Sequence, residues 1–239
     1  HSLRYYDTAV SAPGFGIPEY SSVGYLDDRE IMNYNSDSRK YRPRVEWMKK
    51  LGDDYWEYNT QGARGNEAVG RRNVKTAMER FNQSGGFHSV QWMYGCQLDD
   101  DGSITGYNQD GYDGEEFMAL DTRTWTYIAT MSQAQVTAQR WNSPEVQEGE
   151  RQRNYLENEC IEWLKKHVEN GREHLERRGE AHHHNGVDDV PSYHTTHVLP
   201  NPDGTYQIRV SAEVIPEEGD SYSCYVDHSS LGAPLNIVW

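Results

Sequence analysis

The two stretches that decide this fold are Gln91-Trp92-Met93-Tyr94-Gly95-Cys96 and Tyr155-Leu156-Glu157-Asn158-Glu159-Cys160-Ile161-Glu162-Trp163-Leu164. Large and small side chains alternate in the first stretch, as is typical of a half-buried strand. In the second stretch, the residues at i, i+4, i+7 and i+8 from Leu156 would lie on one face of a helix. A disulfide between Cys96 and Cys160 would close a loop of 64 residues and contribute about 4 kcal/mol in an oxidising compartment. A helix held over a sheet in this way forms one wall of a groove.

The composition limits the size and the partners of the protein. The chain has 239 residues, enough for one large domain or for a medium and a small one. Its formal net charge of -15 argues against nucleic acid or an anionic membrane surface as the partner. Its 7 Trp and 17 Tyr supply large apolar contacts and many hydroxyl groups, which suits a recognition surface.

The cellular compartment is indicated by two features. No apolar run approaches the length of a membrane span, and no charged-then-apolar leader opens the sequence. We therefore expect either an intracellular soluble protein or a processed ectodomain. Asn82-Gln83-Ser84 is an acceptor sequence for N-glycosylation. Together with a plausible disulfide, it favours the secretory pathway.

Strand and helix patterns occur twice in the same order. Residues 1–48 alternate as strands, and a helical pattern follows over 53–81. Strands return over 86–121, and a second helical pattern covers 132–178. We therefore predict an α+β fold in which one antiparallel sheet of eight strands carries two long helices with a cleft between them.

Turn and helix-end signals refine this pattern. Aspartate and glycine cluster at 99–102 and 110–114, which predicts turns there. The second helical region should break near 142–145, where Ser143 suits an N-cap and Pro144 the first helical position. Three glycines weaken the first helix by about 1 kcal/mol each relative to Ala, so that helix is expected to need space on one face. They are Gly62, Gly65 and Gly70.

Residues 179–239 have a different composition. Tyr222 lies two residues before Cys224, which is the corner pattern of an immunoglobulin strand. The segment is much shorter than the ~100 residues of an immunoglobulin domain. We therefore expect an incomplete immunoglobulin-like β-sandwich.

Several runs, taken together and in order, resemble one known family. They are His1-Ser2-Leu3-Arg4-Tyr5, Val23-Gly24-Tyr25-Leu26-Asp27-Asp28, Asp54-Tyr55-Trp56, Phe81-Asn82-Gln83-Ser84, Met93-Tyr94-Gly95-Cys96, Gly111-Tyr112-Asp113-Gly114, Cys160-Ile161-Glu162-Trp163-Leu164 and Tyr222-Ser223-Cys224. The chain resembles the heavy chain of a major histocompatibility complex (MHC) class I molecule, of non-mammalian type, over nearly its whole length. The resemblance implies antigen presentation at the cell surface by a single-pass membrane protein.

The family resemblance also implies a domain organisation. It comprises an alpha1 half-platform at 1–85, an alpha2 half-platform at 86–178, and an immunoglobulin-like alpha3 domain at 179–239. The first strands of alpha3 are expected to be missing, together with the disulfide partner of Cys224. We expect no metal at His182-His183-His184, because residues on either side of a missing segment need not be neighbours.

The resemblance assigns residues to the two ends of a bound peptide. The amino terminus would be held by hydroxyl-bearing and aromatic side chains: Tyr5, Tyr55, Tyr155, Trp163 and His167. A histidine replaces the usual fourth tyrosine there, which predicts a weakened or pH-sensitive end. The carboxyl terminus would be held by a second set: Asn73, Arg80, Thr137, Arg140 and Trp141. Arginine at Arg80, where mammals usually carry tyrosine, matches the non-mammalian pattern.

The pockets for peptide side chains are expected along the floor and the first helix. The residues assigned to them are Asp7, Met32, Tyr41, Asn59, Ala63, Asn66, Trp92, Tyr94 and Asp110. A buried carboxylate needs a partner, so Asp110 predicts Lys or Arg as the last peptide residue, unless an internal Arg or a water pairs with it. Trp92 is expected to make the middle shallow, and Gly62 with Ala63 to leave room for a second anchor pocket.

The remaining assignments concern protein partners. The light chain β2-microglobulin is expected to pack under the sheet against Gln91, Gln109, Asp113 and Gly114. A T-cell receptor would contact the helices, and a T-cell co-receptor would bind a loop that contains Asp188 and Asp189. No cofactor is expected.

Two alternative functions follow from the same sequence. A specialised class I-like molecule would present a lipid or another restricted ligand, or hold none, and His167 is the main feature in its favour. An enzyme or a calcium-dependent lectin is the other class. Asp99-x-Asp101-Gly102 resembles the start of a calcium loop, but the acid expected at its twelfth position falls on Asp110, in the groove floor. No hydrolase, zinc-protease or phosphate-loop motif occurs, so we predict no enzyme.

Overall fold

The computed structural model describes residues 1–13 and 17–181, together with short strand segments beyond them. Those segments are β9 (Tyr193–Thr195), β10 (Leu199–Pro200), β11 (Tyr206–Gln207), β12 (Val210–Ala212), β13 (Ser223–Val226) and β14 (Leu235–Val238). They pair antiparallel as β10 with β11, β9 with β12, and β13 with β14. Cys224 lies in β13. The other two of the three cysteines in the 239 residues pair with each other, so this sequence contains no partner for Cys224.

Eight antiparallel strands form one sheet in the first 129 residues, in the order β4-β3-β2-β1-β5-β6-β7-β8. The strands are β1 (Ser2–Val10), β2 (Tyr20–Leu26), β3 (Arg29–Asn35), β4 (Arg42–Pro43), β5 (Ser89–Leu98), β6 (Ile104–Tyr112), β7 (Glu115–Asp121) and β8 (Thr126–Ala129). The two halves of the sheet meet where β1 pairs with β5, from Ser2 opposite Gln97 to Val10 opposite Ser89. This is the predicted sheet.

The two halves repeat one local arrangement at the start of β1 and of β5. The Nδ1 atom of His1 lies 2.7 Å from a carboxylate oxygen of Asp27, in the turn between β2 and β3. The Nδ1 atom of His88 lies 2.7 Å from Asp113, in the turn between β6 and β7. Each aspartate also accepts the backbone N–H of the residue after the histidine, at 2.8 Å. Both aspartates have positive φ, 53° and 49°, so the same tight turn recurs.

The helices lie on one face of the sheet. The first is α1 (Asp53–Arg80), preceded by a short 3₁₀ segment at Glu46–Lys50. The second wall is divided into α2 (Gln135–Trp141), α3 (Glu148–Asn154), a π-helical turn at Tyr155–Glu159 and α4 (Cys160–Ala181). No described helix combines the length and the apolar composition needed to cross a membrane.

Three sequence predictions about local structure are wrong. The strands continue past residue 121, because β8 follows at Thr126–Ala129. Asp110 and Gly111 lie within β6, and the register of β6 with β7 shifts between these two residues. The turn is at 113–114, where both residues have positive φ. Ser143 does not cap a helix, because its carbonyl accepts the N–H groups of residues 146 and 147 in a turn. Residue 147 then has a φ of 48°, and α3 begins only at Glu148.

Helix α3 makes a close contact with the sheet edge in its first turn. A Cβ atom on Gly149 would lie 1.8 Å from the carbonyl oxygen of Trp125, in the turn between β7 and β8. Only a glycine lets the helix approach this closely. The prediction that α1 needs space at its glycines holds at Gly70, where a Cβ would lie 2.8 Å from Ala9. A Cβ at Gly62 or Gly65 would meet no atom within 4 Å, so no packing contact requires glycine at either position.

A disulfide joins Cys96 on β5 to Cys160 at the start of α4, as predicted, with the Cα atoms 6.1 Å apart. Both cysteines are buried in a cluster that includes Leu3, Trp47 and Leu164. The α4 wall is thus covalently fixed to the centre of the sheet.

Candidate ligand-binding groove

A groove runs between α1 and the α2–α4 wall, above the centre of the sheet. It contains a cavity of about 930 Å³. Most residues that the sequence assigned to a peptide site line this cavity: Tyr5, Asp7, Tyr41, Tyr55, Asn59, Ala63, Asn66, Asn73, Trp92, Tyr94, Asp110, Trp141, Tyr155 and Trp163. A second cavity of about 180 Å³ adjoins it and is lined by Asn73, Arg80, Trp92, Asp110, Thr137, Arg140 and Trp141.

Stacked aromatic rings form one end of the groove. The ring of Tyr5 stacks on that of Tyr94, with centroids 5.3 Å apart. The ring of Tyr55 lies 5.0 Å from that of Trp163, on the opposite wall. Burial raises the pKa of Tyr5 and Tyr155 well above the usual value. These phenols therefore stay protonated, and each can donate one hydrogen bond and accept others.

His167 lies behind this aromatic wall and does not line the cavity. It is fully buried, its ring stacks on Trp163 at 5.7 Å, and its Nε2 lies 3.3 Å from the hydroxyl of Tyr55. Burial, and then the charge of Lys166, lower its pKa to about 4. The imidazole is therefore neutral near pH 7 and acts on a ligand only through its neighbours. Met32 is likewise buried, with its sulfur 3.3 Å from the hydroxyl of Tyr55.

Cationic and polar side chains gather at the other end. Arg80 reaches from the end of α1 across the groove and donates to the hydroxyl of Thr137 at 2.7 Å and to the carbonyl of Gln133 at 3.1 Å. Arg140 and Trp141 line the same small cavity. All the residues that the sequence assigned to the carboxyl terminus of a peptide therefore line the small cavity, and two of them carry guanidinium groups. Guanidinium groups bind carboxylates through charge-assisted hydrogen bonds.

Two carboxyl groups on the floor differ in their surroundings. Asp7 is buried and accepts from the hydroxyls of Tyr20 at 2.6 Å and Ser22 at 2.5 Å. Burial raises its pKa to about 6 against these hydrogen bonds. Asp110 is also buried, but its Oδ1 has no hydrogen-bond partner. Burial, and then the charge of Glu148, raise its pKa to about 7. Neither an internal Arg nor any other side-chain donor reaches that oxygen in the described part of the chain.

Trp92 lies on the floor of the groove. Its ring lies beneath α1, where a Cβ on Gly70 would come within 3.1 Å of it, and 6.4 Å from the ring of Tyr20. It lines both cavities. Asn73, Asp110 and Trp141 also line both cavities, and the shallow middle at Trp92 stays a prediction. Gly62 and Ala63 line the large cavity on the α1 side, where the second anchor pocket was predicted.

Several residues of the large cavity were missed by sequence reasoning. They are Tyr58, Gln61, Val69, Asn108, Tyr127, Glu148, Arg151, Gln152, Asn154 and Glu159. The sequence did indicate Asn108, because it lies two residues before Asp110 on β6 and so faces the same side of the sheet. Tyr127 was missed because it lies in β8, a strand that was not predicted. Glu148, Arg151 and Gln152 recur at i, i+3 and i+4, but the sequence does not show which face of a divided helix points inward.

The other predicted sites lie outside the groove. Gln91 pairs across the sheet with Gly111 and Gln109 with Met93, so both lie on the face opposite Trp92. Gln91 is buried, and Asp113 and Gly114 form the β6–β7 turn. Asn82, the predicted glycosylation site, is exposed just after α1. The acidic pair of the predicted co-receptor loop and the three consecutive histidines lie outside the described residues: Asp188, Asp189, His182, His183 and His184.

The groove has no evident means of holding a metal. Among the described residues, no group of three His, Cys, Asp or Glu side chains could bind an ion. The chemistry that the lining offers is hydrogen bonding by phenols and amides, carboxylates on the floor, and guanidinium groups at one end. This suits an elongated polar ligand with an amine at one end and a carboxylate at the other.

Two family models match the chain. The model described as class I histocompatibility antigen, domains alpha 1 and 2, matches residues 1–175. The model described as immunoglobulin C1-set domain matches residues 182–231. Together they cover both parts of the fold.

Individual relatives match over the whole chain. The class I histocompatibility antigen F10 alpha chain of Gallus gallus is 38% identical over 270 residues, which cover 100% of this chain and 78% of the relative. The Saoe class I histocompatibility antigen C alpha chain of Saguinus oedipus is 35% identical, and the H-2 class I histocompatibility antigen K-W28 alpha chain of Mus musculus is 38% identical. Each of these two alignments covers 100% of this chain and 74% of the relative.

Proposed function

The chain belongs to the family of class I histocompatibility antigen alpha chains, and we propose that it binds short peptides in the groove and displays them at the cell surface. The family is one of antigen-presenting molecules, not of enzymes. We infer the ligand, the partners and the roles of individual residues from the arrangement of the groove. The observation that carries them is the polarity of the groove, with phenols at one end and two guanidinium groups at the other.

The amino terminus of the peptide lies between the aromatic residues of α1 and α4. Tyr5, Tyr55 and Tyr155 provide hydroxyls for the ammonium group, and Trp163 covers it. Their raised pKa values support this role, because a neutral phenol bonds an ammonium group without a competing proton transfer. His167 positions Tyr55 and Trp163 from behind and makes no direct contact with the peptide.

The carboxyl terminus of the peptide lies in the small cavity. Arg80 and Arg140 pair with the terminal carboxylate, and Thr137 and Asn73 complete the set. A charge-assisted bond of this kind contributes about 1.5–3 kcal/mol. Asp110 lines the same cavity and has a free oxygen, so the last side chain is expected to be Lys or Arg.

Three protein partners complete the proposal. β2-microglobulin packs under the sheet near Gln109 and the 113–114 turn. A T-cell receptor contacts the outer faces of α1 and of the α2–α4 wall. A T-cell co-receptor binds the segment with Asp188 and Asp189, whose charge suits a basic partner.

A specialised class I-like molecule is the second candidate. The observation in its favour is His167, which stands where a further tyrosine would offer a hydroxyl to the ligand. The groove lining argues against a lipid, because carboxyl and amide groups line it where a lipid needs apolar walls. An empty or restricted groove remains the competing outcome of the experiment.

Refolding the chain with β2-microglobulin and eluting the ligands into a mass spectrometer tests the proposal. Short peptides of narrow length are expected, ending in Lys or Arg. Peptides with apolar last residues would contradict the role of Asp110 alone. Lipids or an empty groove would overturn peptide presentation.

A further inference from the structure

The side chain of Asn142 pairs with the open edge of the sheet. Among the described residues, β8 is the last strand of the sheet, so one side of it has no neighbouring strand. The backbone N–H of Tyr127, in β8, donates to Oδ1 of Asn142 at 2.8 Å, and the carbonyl of Tyr127 accepts from Nδ2 of Asn142 at 2.9 Å. A side-chain amide offers an N–H donor and a carbonyl acceptor, as a peptide group does. The two hydrogen bonds therefore form an amide clamp between Asn142 and β8.

Asn142 is also the residue at which α2 ends. Its backbone N–H donates to the carbonyl of Ala138 at 2.9 Å and caps the helix. A turn follows over 143–147, before α3 begins. Asn142 is exposed, whereas Tyr127 is 3% exposed. The amide clamp therefore fixes the end of α2 to a buried residue of the sheet.

The residues next to the amide clamp line the groove. Trp141 directly precedes Asn142 and lines both cavities. The side chain of Tyr127 lines the large cavity, and its ring meets that of Trp141 edge to face, with centroids 4.7 Å apart. Such an arrangement is favourable for two aromatic rings. The hydrogen bonds and the ring contact thus act together to fix the position of Trp141 in the groove.

Few other polar contacts hold this part of the wall. In the part of the chain that the structure describes, side-chain hydrogen bonds connect residues 132–142 to the rest of the protein at two places, the amide clamp and Arg80. Arg80 is itself one of the two guanidinium groups proposed for the ligand carboxylate. The disulfide fixes α4, which α3 and two interruptions of the helix separate from α2. Asn142 lines neither cavity, so a ligand does not compete for the amide clamp.

We propose that Asn142 is a positioning residue for the ligand: through the amide clamp it fixes the end of α2 against β8, and so sets how tightly the small cavity holds a terminal carboxylate. This inference rests on the proposed function, because a bound peptide supplies the carboxylate. Arg140 and Trp141, the last two residues of α2, line the small cavity. Both therefore shift when the end of the helix is released. Asn142 acts only through these neighbours.

The test compares peptides that differ only at one end. The complex with β2-microglobulin is prepared, and three forms of one eluted peptide compete against a fluorescent reference peptide: the free peptide, its carboxamide and its amino-terminally acetylated form. Asn142→Ala is expected to reduce the preference for carboxylate over carboxamide roughly fivefold. It should leave the preference for a free over an acetylated amino terminus unchanged. A merely structural role would weaken all three peptides by the same factor.

Two further variants sharpen the result. Asn142→Asp keeps the shape of the side chain but replaces the donor with an acceptor, which repels the carbonyl of Tyr127. It is expected to reduce the carboxylate preference at least as much as Asn142→Ala. Asn158→Ala is the matched control, because Asn158 lies on the same wall, donates to the backbone carbonyl of Asn154 at 3.0 Å and lines neither cavity. It should leave both preferences unchanged. Asn142 is exposed, so its variants are expected to fold.

The possible outcomes separate this inference from the proposed function. If the wild type prefers the carboxylate and Asn142→Ala keeps that preference, or weakens all three peptides equally, Asn142 is not a positioning residue and peptide presentation stands. If no peptide is eluted, or the wild type does not distinguish carboxylate from carboxamide, the proposed binding of the carboxyl terminus fails, and the role of Asn142 fails with it.

Discussion

At the scale of single residues, Asp110 makes the stability of the empty groove depend on pH. Its pKa is raised from 3.8 to about 7, so the folded protein keeps a proton that the unfolded chain releases. The stabilisation is fully present below the lower value and is lost as the pH rises through the higher one. Asp110→Asn is expected to remove this loss and to stabilise the ligand-free complex at pH 7.5 by roughly 4 kcal/mol, with little effect at pH 4.

Thermal unfolding of the two proteins across this pH range measures the effect. Asp101→Asn is the control, because Asp101 is exposed in a turn and hydrogen-bonded to Ser103. Equal pH profiles for the wild type and Asp110→Asn would show that Asp110 does not titrate in this range.

His167 gives a pH dependence of the opposite sign. Its pKa is lowered from 6.5 to about 4. Between these pH values the unfolded chain therefore binds a proton at His167 and the folded protein does not. Its contribution to stability is present above pH 6.5 and is lost as the pH falls towards 4. His167→Gln keeps a polar group near Tyr55 but does not titrate. Its melting temperature is expected to fall less steeply than that of the wild type below pH 6.5, and parallel curves would contradict this.

The sequence predicted the residues of this groove unevenly. Cys96 and Cys160 were found from the strand and helix patterns around them, and the aromatic cluster was found only through the family resemblance. His167 was assigned to the ligand, but a change from tyrosine to histidine does not reveal that the shorter ring is buried behind its neighbours. Glu148 was missed, because a glutamate early in an amphipathic helix is usually exposed.

At the scale of elements, the contact of α3 with the sheet edge depends on one glycine. Gly149→Ala would place a Cβ against the Trp125 carbonyl, so the helix must move away. Overpacking of this kind costs about 1–3 kcal/mol. Gly65→Ala is the matched control, since Gly65 is in α1 with open space around it, and it should stabilise the protein by up to about 1 kcal/mol. Urea unfolding of the complex compares the two, and a neutral Gly149→Ala would contradict the contact.

The disulfide fixes α4 to β5 and should dominate the stability of that wall. Replacing Cys96 and Cys160 together by alanine is expected to cost about 4 kcal/mol, because the unfolded chain regains the freedom of a loop of 64 residues. Hydrogen exchange should then show faster opening of α4 than of α1. A loss below about 1 kcal/mol would mean that packing alone holds the helix.

Element types were predictable and element ends were not. The existence of the sheet and of α1 follows from strong periodicity over long segments. The short strand β8 has too few residues to show a period. The first turn of α3 contacts Trp125 through Gly149, and these residues are 24 positions apart in sequence. Ser143 and Pro144 have the sequence pattern of a helix start, but α3 begins only at Glu148.

At the scale of the whole molecule, the repeated pattern predicted one continuous antiparallel sheet built from two similar halves, each with a helical wall. The order of the strands was not predicted, and the structure joins the halves along β1 and β5. The charge of the groove was not deducible, because the net charge of -15 does not show which carboxylates point inward.

The hydrogen bond between His1 and Asp27 and the matching one between His88 and Asp113 each act as a latch within one half of the platform, and they have a consequence for assembly. Each half of the sheet carries its own latch, and the disulfide lies wholly within the second half. The two halves contact each other through the β1–β5 pairing, through Arg80, and through α4, where Leu164 shares a buried cluster with Leu3 and Trp47. The chain joins the two halves by a short connection after α1. The platform is therefore an intramolecular dimer. Cutting that connection should yield two polypeptides that reassociate by fragment complementation, with the ligand acting as the third component that completes the assembly.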